Sequence, residues 1–294
     1  MRAAVYYGPN KVEVADVPEP DPTPGTVKIK VGFNGICGTD LHEYYAGPIF
    51  VPTEPHPLTG RQLPLTMGHE FSGTITELGA GVTGYAVGDR VAVEPIYRCG
   101  HCAPCRAGTY NICRQIGFHG LMSDGGMAEY TVVPADMLHR LPDNVSLELG
   151  ALVEPMSVAY HAATLGEVGP LHTAVIFGAG PIGIGVWFAL RGKGLDEVFV
   201  VEPSETRRGA IGVVDRVMER ALQGRLDRPY WFDTTRYPAY VDIQVQEPQG
   251  VLRIIAPRER AEVLAALDAL GEGRTVLIHS RDPETVRGAD RVLW

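Results

Sequence analysis

The chain has 294 residues, 45% hydrophobic and 21% charged, with a formal net charge of −9 at pH 7. That length allows two domains with separate cores, and the apolar fraction is that of an ordinary globular protein. The acidic balance argues against a nucleic-acid binder, which needs a basic face.

Arg2 to Tyr7 reads as a short strand and Gly8-Pro9-Asn10 as a turn, rather than as a signal peptide. Residues 1 to 150 continue in short β patterns: Val27 to Val31, Gly73 to Leu78 and Arg90 to Val93, separated by Gly, Pro and Asp. Period-two alternation with turn residues between predicts a β-barrel-like domain. From 151 to 208 the texture changes. A helix is expected over Glu154 to Leu165, then a strand Thr173 to Phe177, a glycine turn, an apolar helix and a strand Glu197 to Val201, which together make a βαβ unit. Ala174 to Leu190 is the most apolar stretch, but Gly178, Gly180, Pro181, Gly183 and Gly185 suit a nucleotide-binding turn better than a membrane span. A soluble, cytoplasmic protein without a membrane partner is expected. Beyond 208 the expectation is an α+β tail, 209–294. It would hold an amphipathic helix over 209–224, a hairpin joining Val241–Val245 to Val251–Ala256, a helix over 258–270, and a closing strand, short helix and strand.

Four of the five cysteines, Cys99, Cys102, Cys105 and Cys113, fall within fifteen positions. C-x-x-C-x-x-C followed by a fourth Cys suits tetrahedral thiolate ligation of a structural zinc, with two disulfides as the alternative. His101 lies between two ligands as a bystander.

Gly178, Gly180 and Gly183 form Gly-x-Gly-x-x-Gly, with Pro181 and Ile182 inside it, between a predicted strand and a predicted helix. Amide groups at such a helix start favour a pyrophosphate. Glu202, nineteen positions beyond Gly183, has about the spacing of a carboxylate that binds ribose hydroxyls. An acid there repels a 2′-phosphate and favours NAD over NADP, while Arg207 and Arg208 are the nearby cations that would accept that phosphate.

The segments Gly35-Ile36-Cys37-Gly38-Thr39-Asp40-Leu41-His42-Glu43, Ala46-Gly47-Pro48-Ile49-Phe50 and Met67-Gly68-His69-Glu70 resemble zinc-dependent medium-chain alcohol dehydrogenases. The Pro-rich stretch Val51 to Pro64 is similar to butanediol dehydrogenases in particular, and the likeness runs over residues 1–208. The resemblance implies a GroES-like catalytic domain, 1–150, followed by part of a Rossmann-type dinucleotide domain, 151–208. It implies a catalytic zinc on Cys37, His69 and Glu154, with Glu70 able to approach the metal and Asp40 orienting His69. Thr39 and His42 occupy the proton-relay positions. The implied reaction is hydride transfer between a secondary alcohol or vicinal diol and NAD; the family also suggests a homo-oligomer, but the later strands that build much of its interface are not recognisable in this sequence.

The tail departs from that pattern. Arg228 to about Arg260 resembles the sensor segment of osmosensor-type histidine kinases, and Val263 to Leu293 the end of an ABC-transporter ATPase. No Walker A loop accompanies it. The chain therefore reads as a chimera, and two alternatives stand beside the enzyme: an inactive zinc- and NAD-binding remnant, and a sensing or interaction module carried by the tail. The last strand, helix and strand would extend the parallel sheet.

Overall fold

The computed structural model describes residues 1–168, 170, 172, 174–195, 198–202, 204 and 206–207, and the backbone of 240–247 and 250–257. The chain divides into two compact units, Met1–Glu154 and Pro155–Trp294.

The first unit is built on short antiparallel strands. β1 (Arg2–Gly8) and β2 (Lys11–Asp16) form a hairpin, and β3 (Thr26–Gly35) leads into α1 (Gly38–Ala46). Then follow β4 (Leu65–Thr66), β5 (Glu70–Leu78), β6 (Arg90–Val93), β7 (Ile96–Tyr97) and the short α2 (Ala103–Arg106). β8 (Gly117–Phe118), β9 (Tyr130–Pro134), β10 (Leu138–Arg140) and α3 (Leu147–Gly150) complete the unit. A five-stranded sheet runs in the order β10-β6-β5-β3-β9, beside a three-stranded sheet β2-β1-β4 and the two-stranded ribbon β7-β8. Val27, Ile29, Phe71, Ile75, Val91 and Val133 are buried together, which is what the alternation in these strands demands.

Two irregularities in β3 aim the chain at the site. Its register against β5 shifts between Lys28 and Ile29 and again between Val31 and Phe33. Gly73 faces the second shift, where a Cβ would lie 2.3 Å from the Lys30 carbonyl oxygen. Only a glycine lets the strands approach so closely. The bent strand then delivers Gly35 opposite Glu70, and α1 begins at once.

The second unit takes in α4 (Val153–Leu165) from Pro155 onward, followed by β11 (Ala174–Phe177), α5 (Pro181–Gly192) and β12 (Val198–Val201). β11 and β12 pair in parallel, Ala174 with Val198 through Phe177 with Val201, as a βαβ unit requires. Ala159, Ala163, Ile176, Leu190, Leu195 and Val200 form its core. Further on, β13 (Tyr240–Glu247) and β14 (Gly250–Pro257) pair antiparallel, with Glu247 opposite Gly250. This is the hairpin expected from alternation. The helices expected over 209–224 and 258–270 and the closing strand, helix and strand lie outside the described residues, as does Arg208. Among the described residues no helix is long and apolar enough to cross a membrane.

Candidate metal centres and dinucleotide turn

Cys37 ends β3's approach and caps α1. Its backbone N–H donates to Asp40 Oδ2 at 2.9 Å, and a capping box closes the first turn. His69 and Glu70 sit where β5 begins. These two elements bring one donor atom each from Cys37, His69 and Glu70 to within 4.8 Å of one another. Glu154, in the first turn of α4, does not join them within that span. The carboxylate at that spacing is therefore Glu70, whereas the motif pointed to Glu154. Glu154 is nonetheless near enough to feel the Glu70 charge.

The pocket is crowded with acids. Burial, with a smaller push from the Glu70 charge, raises Glu154 to about 7. Burial likewise pushes Asp40 up to about 6, against the Cys37 N–H that lowers it. Burial raises Cys37 and Glu70, and pushes His69 down to about 4. A thiol and three carboxyl groups held around a neutral imidazole ask for a cation or for protons. His69 Nδ1 and Asp40 Oδ1 are both buried without a hydrogen-bond partner among the described residues. Polar groups left in that state fit a site completed by a metal ion.

Thr39 Oγ1 lies 3.4 Å from the Cys37 thiol, and His42 is exposed on α1 three residues further on. Glu43 is an anchor with no signature in the sequence. It is fully buried, and its carboxylate accepts the backbone N–H groups of Ile49, Phe50 and Val51. Tyr6 donates to the Glu43 carbonyl at 2.8 Å. A glutamate on a short helix reads as a solvated face, so only the fold exposes its role in holding the loop after α1.

The cysteine cluster closes on itself. The ligand atoms of Cys99, Cys102, Cys105 and Cys113 all lie within 4.8 Å of one another. All five cysteines are free, and the Cys102 and Cys105 sulfurs stand 3.4 Å apart, well beyond a disulfide bond of about 2.05 Å. The disulfide alternative is thereby removed. Backbone N–H groups of Cys99 and Gln115 point at Cys113 Sγ, each at 3.4 Å, and Cys102 N–H points at Cys99 Sγ at 3.4 Å. The Arg114 N–H pulls the Cys102 thiol down to about 6, and the Cys99 N–H lowers Cys113. Such donors favour the thiolate, the form that binds metal. His101 stays outside the cluster, its Nδ1 2.8 Å from the Cys99 carbonyl oxygen.

The glycine turn divides its labour among three residues. Gly178 has φ +102°, which favours glycine. Gly180 caps α5, and a Cβ built on it would meet nothing within 4 Å among the described residues. At Gly183 a Cβ would fall 2.0 Å from the Gly178 carbonyl oxygen, so helix and strand meet there without room for a side chain. Pro181 and Ile182 fill the first turn of α5. Glu202 is buried just past β12, accepting Ala179 N–H at 2.7 Å and Ser204 N–H at 2.8 Å. Arg207 lies 3.8 Å from the same carboxylate.

Residues 23–143 match the family model for the alcohol dehydrogenase GroES-like domain. The (R,R)-butanediol dehydrogenase of Bacillus subtilis is 47% identical over 211 residues, covering 71% of this chain and 60% of that protein. That of Neisseria gonorrhoeae is 38% identical over 225 residues, covering 74% and 63%. The solved structure of 2R,3R-butanediol dehydrogenase from Bacillus subtilis superposes with a TM-score of 0.72 at 35% identity, covering 100% of this chain and 83% of that one. The chain belongs to the zinc-dependent medium-chain alcohol dehydrogenases. It spans 60% and 63% of the length of these two curated relatives. The matched region is the sheet-rich part of the first unit. The stretch from Val51 to Pro64 folds back on the unit that carries it. His56 Nε2 lies 3.1 Å from the Ile116 carbonyl oxygen, and Arg61 pairs with Asp124 at 2.6 Å.

Proposed function

We propose that the chain is a zinc-dependent oxidoreductase that moves a hydride between a secondary alcohol or vicinal diol and NAD. The observation that carries this reading is the convergence of Cys37, His69 and Glu70 within 4.8 Å. Cys37, His69 and a carboxylate would hold the catalytic zinc, the carboxylate being Glu70 or Glu154. The four clustered cysteines would hold a structural zinc with no open position. When bound, zinc would supply Lewis acidity at the alcohol oxygen and NAD would be the hydride acceptor. Thr39 receives the hydroxyl proton at Oγ1, and His42, exposed on the same helix, carries it to solvent. Asp40, with Oδ1 3.6 Å from His69 Nδ1, would orient the imidazole once metal is bound. Gly178, Gly180 and Gly183 shape the turn that takes the pyrophosphate, with Pro181 and Ile182 opening the helix behind it.

Glu202 places a negative charge just past β12, where a 2′-phosphate would be repelled, and Arg207 is already turned to that charge. Both features support NAD over NADP. Domains of 1–150 for catalysis and 151–208 for the cofactor fit this division of labour. Free cysteines suit a reducing compartment such as the cytoplasm. Relatives that are butanediol dehydrogenases support a diol substrate over a sensing role for the tail.

The test is NADH formation from 2,3-butanediol by protein carrying two zinc ions per chain. Steady absorbance at 340 nm across several diols and secondary alcohols, with both zincs retained and NADH bound, would reject the activity.

A further inference from the structure

The cysteine lobe and the His69 site share one narrow structural link. β7 and β8 are two residues each, paired Ile96 with Phe118 and Tyr97 with Gly117. Cys99 leaves one strand two residues on, and Cys113 enters the other four residues before it. The ribbon is thus the stem of the lobe. Its last residue, Phe118, meets the His69 ring edge-on, with centroids 5.3 Å apart and planes at 75°. Aromatic pairs in that geometry are attractive and directional.

The stem is also pinned from the side facing the barrel. His119 is fully buried and its Nε2 lies 2.9 Å from Thr131 Oγ1 on β9, while its Nδ1 lies 3.0 Å from the Tyr97 hydroxyl. Backbone N–H of His119 donates to the Pro95 carbonyl at 2.8 Å. With one end held by the barrel, the remaining freedom of the ribbon lies at the lobe end, where the four thiols converge.

We propose that Phe118 is a positioning residue for His69, and that metal in the cysteine lobe sets the retention of metal at the Cys37–His69 site through it. This rests on the two-metal reading above. A ribbon of two residue pairs has little stability of its own, so a closed tetrathiolate at its tip fixes the strand pair and hence the Phe118 ring. The ring in turn limits the tilt of an imidazole whose Nδ1, among the described residues, has Asp40 alone, at 3.6 Å, to orient it. Loosening either the tip or the ring lets His69 drift from its ligating pose.

The experiment uses the full chain with cobalt(II) at the Cys37–His69 site and zinc in the lobe, comparing the parent, Phe118→Leu, Cys105→Ser and the double variant. The readouts are metal content, the cobalt ligand-field bands and the rate of cobalt loss to a chelator. Phe118→Leu is expected to shift the bands and speed cobalt loss about tenfold while the lobe keeps its zinc, in line with the effect of removing an outer-shell partner. Cys105→Ser should do the same, and the double variant should add little, because both act through one link. Should Cys105→Ser fail to fold, parent protein carrying cobalt but no lobe zinc takes its place, and an unchanged rate of cobalt loss there overturns the coupling. Unchanged bands and loss rate in Phe118→Leu, or effects that multiply in the double variant, overturn the coupling. A parent that takes up lobe zinc but no cobalt overturns the two-metal reading itself, and the coupling with it.

Discussion

Asp40 Oδ1 lies 3.6 Å from His69 Nδ1, and neither buried atom has a hydrogen-bond partner among the described residues. The gap is slightly too long for a hydrogen bond. It closes if His69 tilts a few tenths of an ångström on taking up a metal. Asp40 also accepts the Cys37 N–H, so one carboxylate steadies two ligands. Asp40→Asn keeps an acceptor for that cap and removes the charge. Zinc affinity at the site is expected to fall about tenfold to a hundredfold with the fold intact. Competition with a chelator measures it, and affinity equal to the parent's would remove Asp40 from the site.

The two carboxylates near the site make distinct predictions. If Glu70 is the ligand at the observed spacing, Glu70→Gln should lose most of the metal while Glu154→Gln keeps it. The opposite pattern would mean that the carboxylate of α4 swings inward on metal binding. Metal analysis of both variants at equal free zinc separates the two.

These features were unequally legible in the amino-acid order. The cysteine cluster was readable because its ligands are close in sequence, so spacing alone carries the geometry. Gly178, Gly180 and Gly183 were readable for the same reason, and so was the hairpin of Tyr240–Glu247 with Gly250–Pro257. Cys37 and His69 stand 32 positions apart, and no local pattern brings them together. Their pairing came only from likeness to a family whose motifs contain both. The family motif pointed to Glu154 as the ligand, whereas the fold brings Glu70 to the Cys37–His69 spacing, because sequence order carries no measure of that distance. Glu43, Phe118 and His119 left no trace, because their roles arise from contacts between segments that alternation does not register.

Gly180 and Gly183 should respond differently to the same added methyl group. Gly180→Ala has space for its Cβ, φ of −73° and ψ of 178°, so the protein should fold normally. Its methyl would protrude where the pyrophosphate approaches, and NADH affinity is expected to drop about tenfold or more. Gly183→Ala drives a Cβ into the Gly178 carbonyl, and the second unit should lose about 2–3 kcal/mol of stability. Titration with NADH and denaturant unfolding together check the split. Equal loss of stability in both variants would contradict it.

His119 gives a pH dependence of defined sign. Its ring is fully buried among Thr131, Tyr97 and Ser123, and burial pushes its pKa down to about 3, with a smaller push from His69. The unfolded chain would bind a proton at about 6.5. Between those values the unfolded state holds more protons, so stability rises with pH in that window and levels off above it. Acidification from pH 7 to 4 should therefore cost roughly 2–3 kcal/mol through this residue alone. His119→Gln retains groups for hydrogen bonding but cannot titrate there. Its starting stability will be lower, yet its slope between pH 6.5 and 4 should be shallower than the parent's. Comparing the two slopes isolates His119 from carboxylates that titrate over the same range, and parallel acid limbs would show that the ring escapes its burial before the fold does.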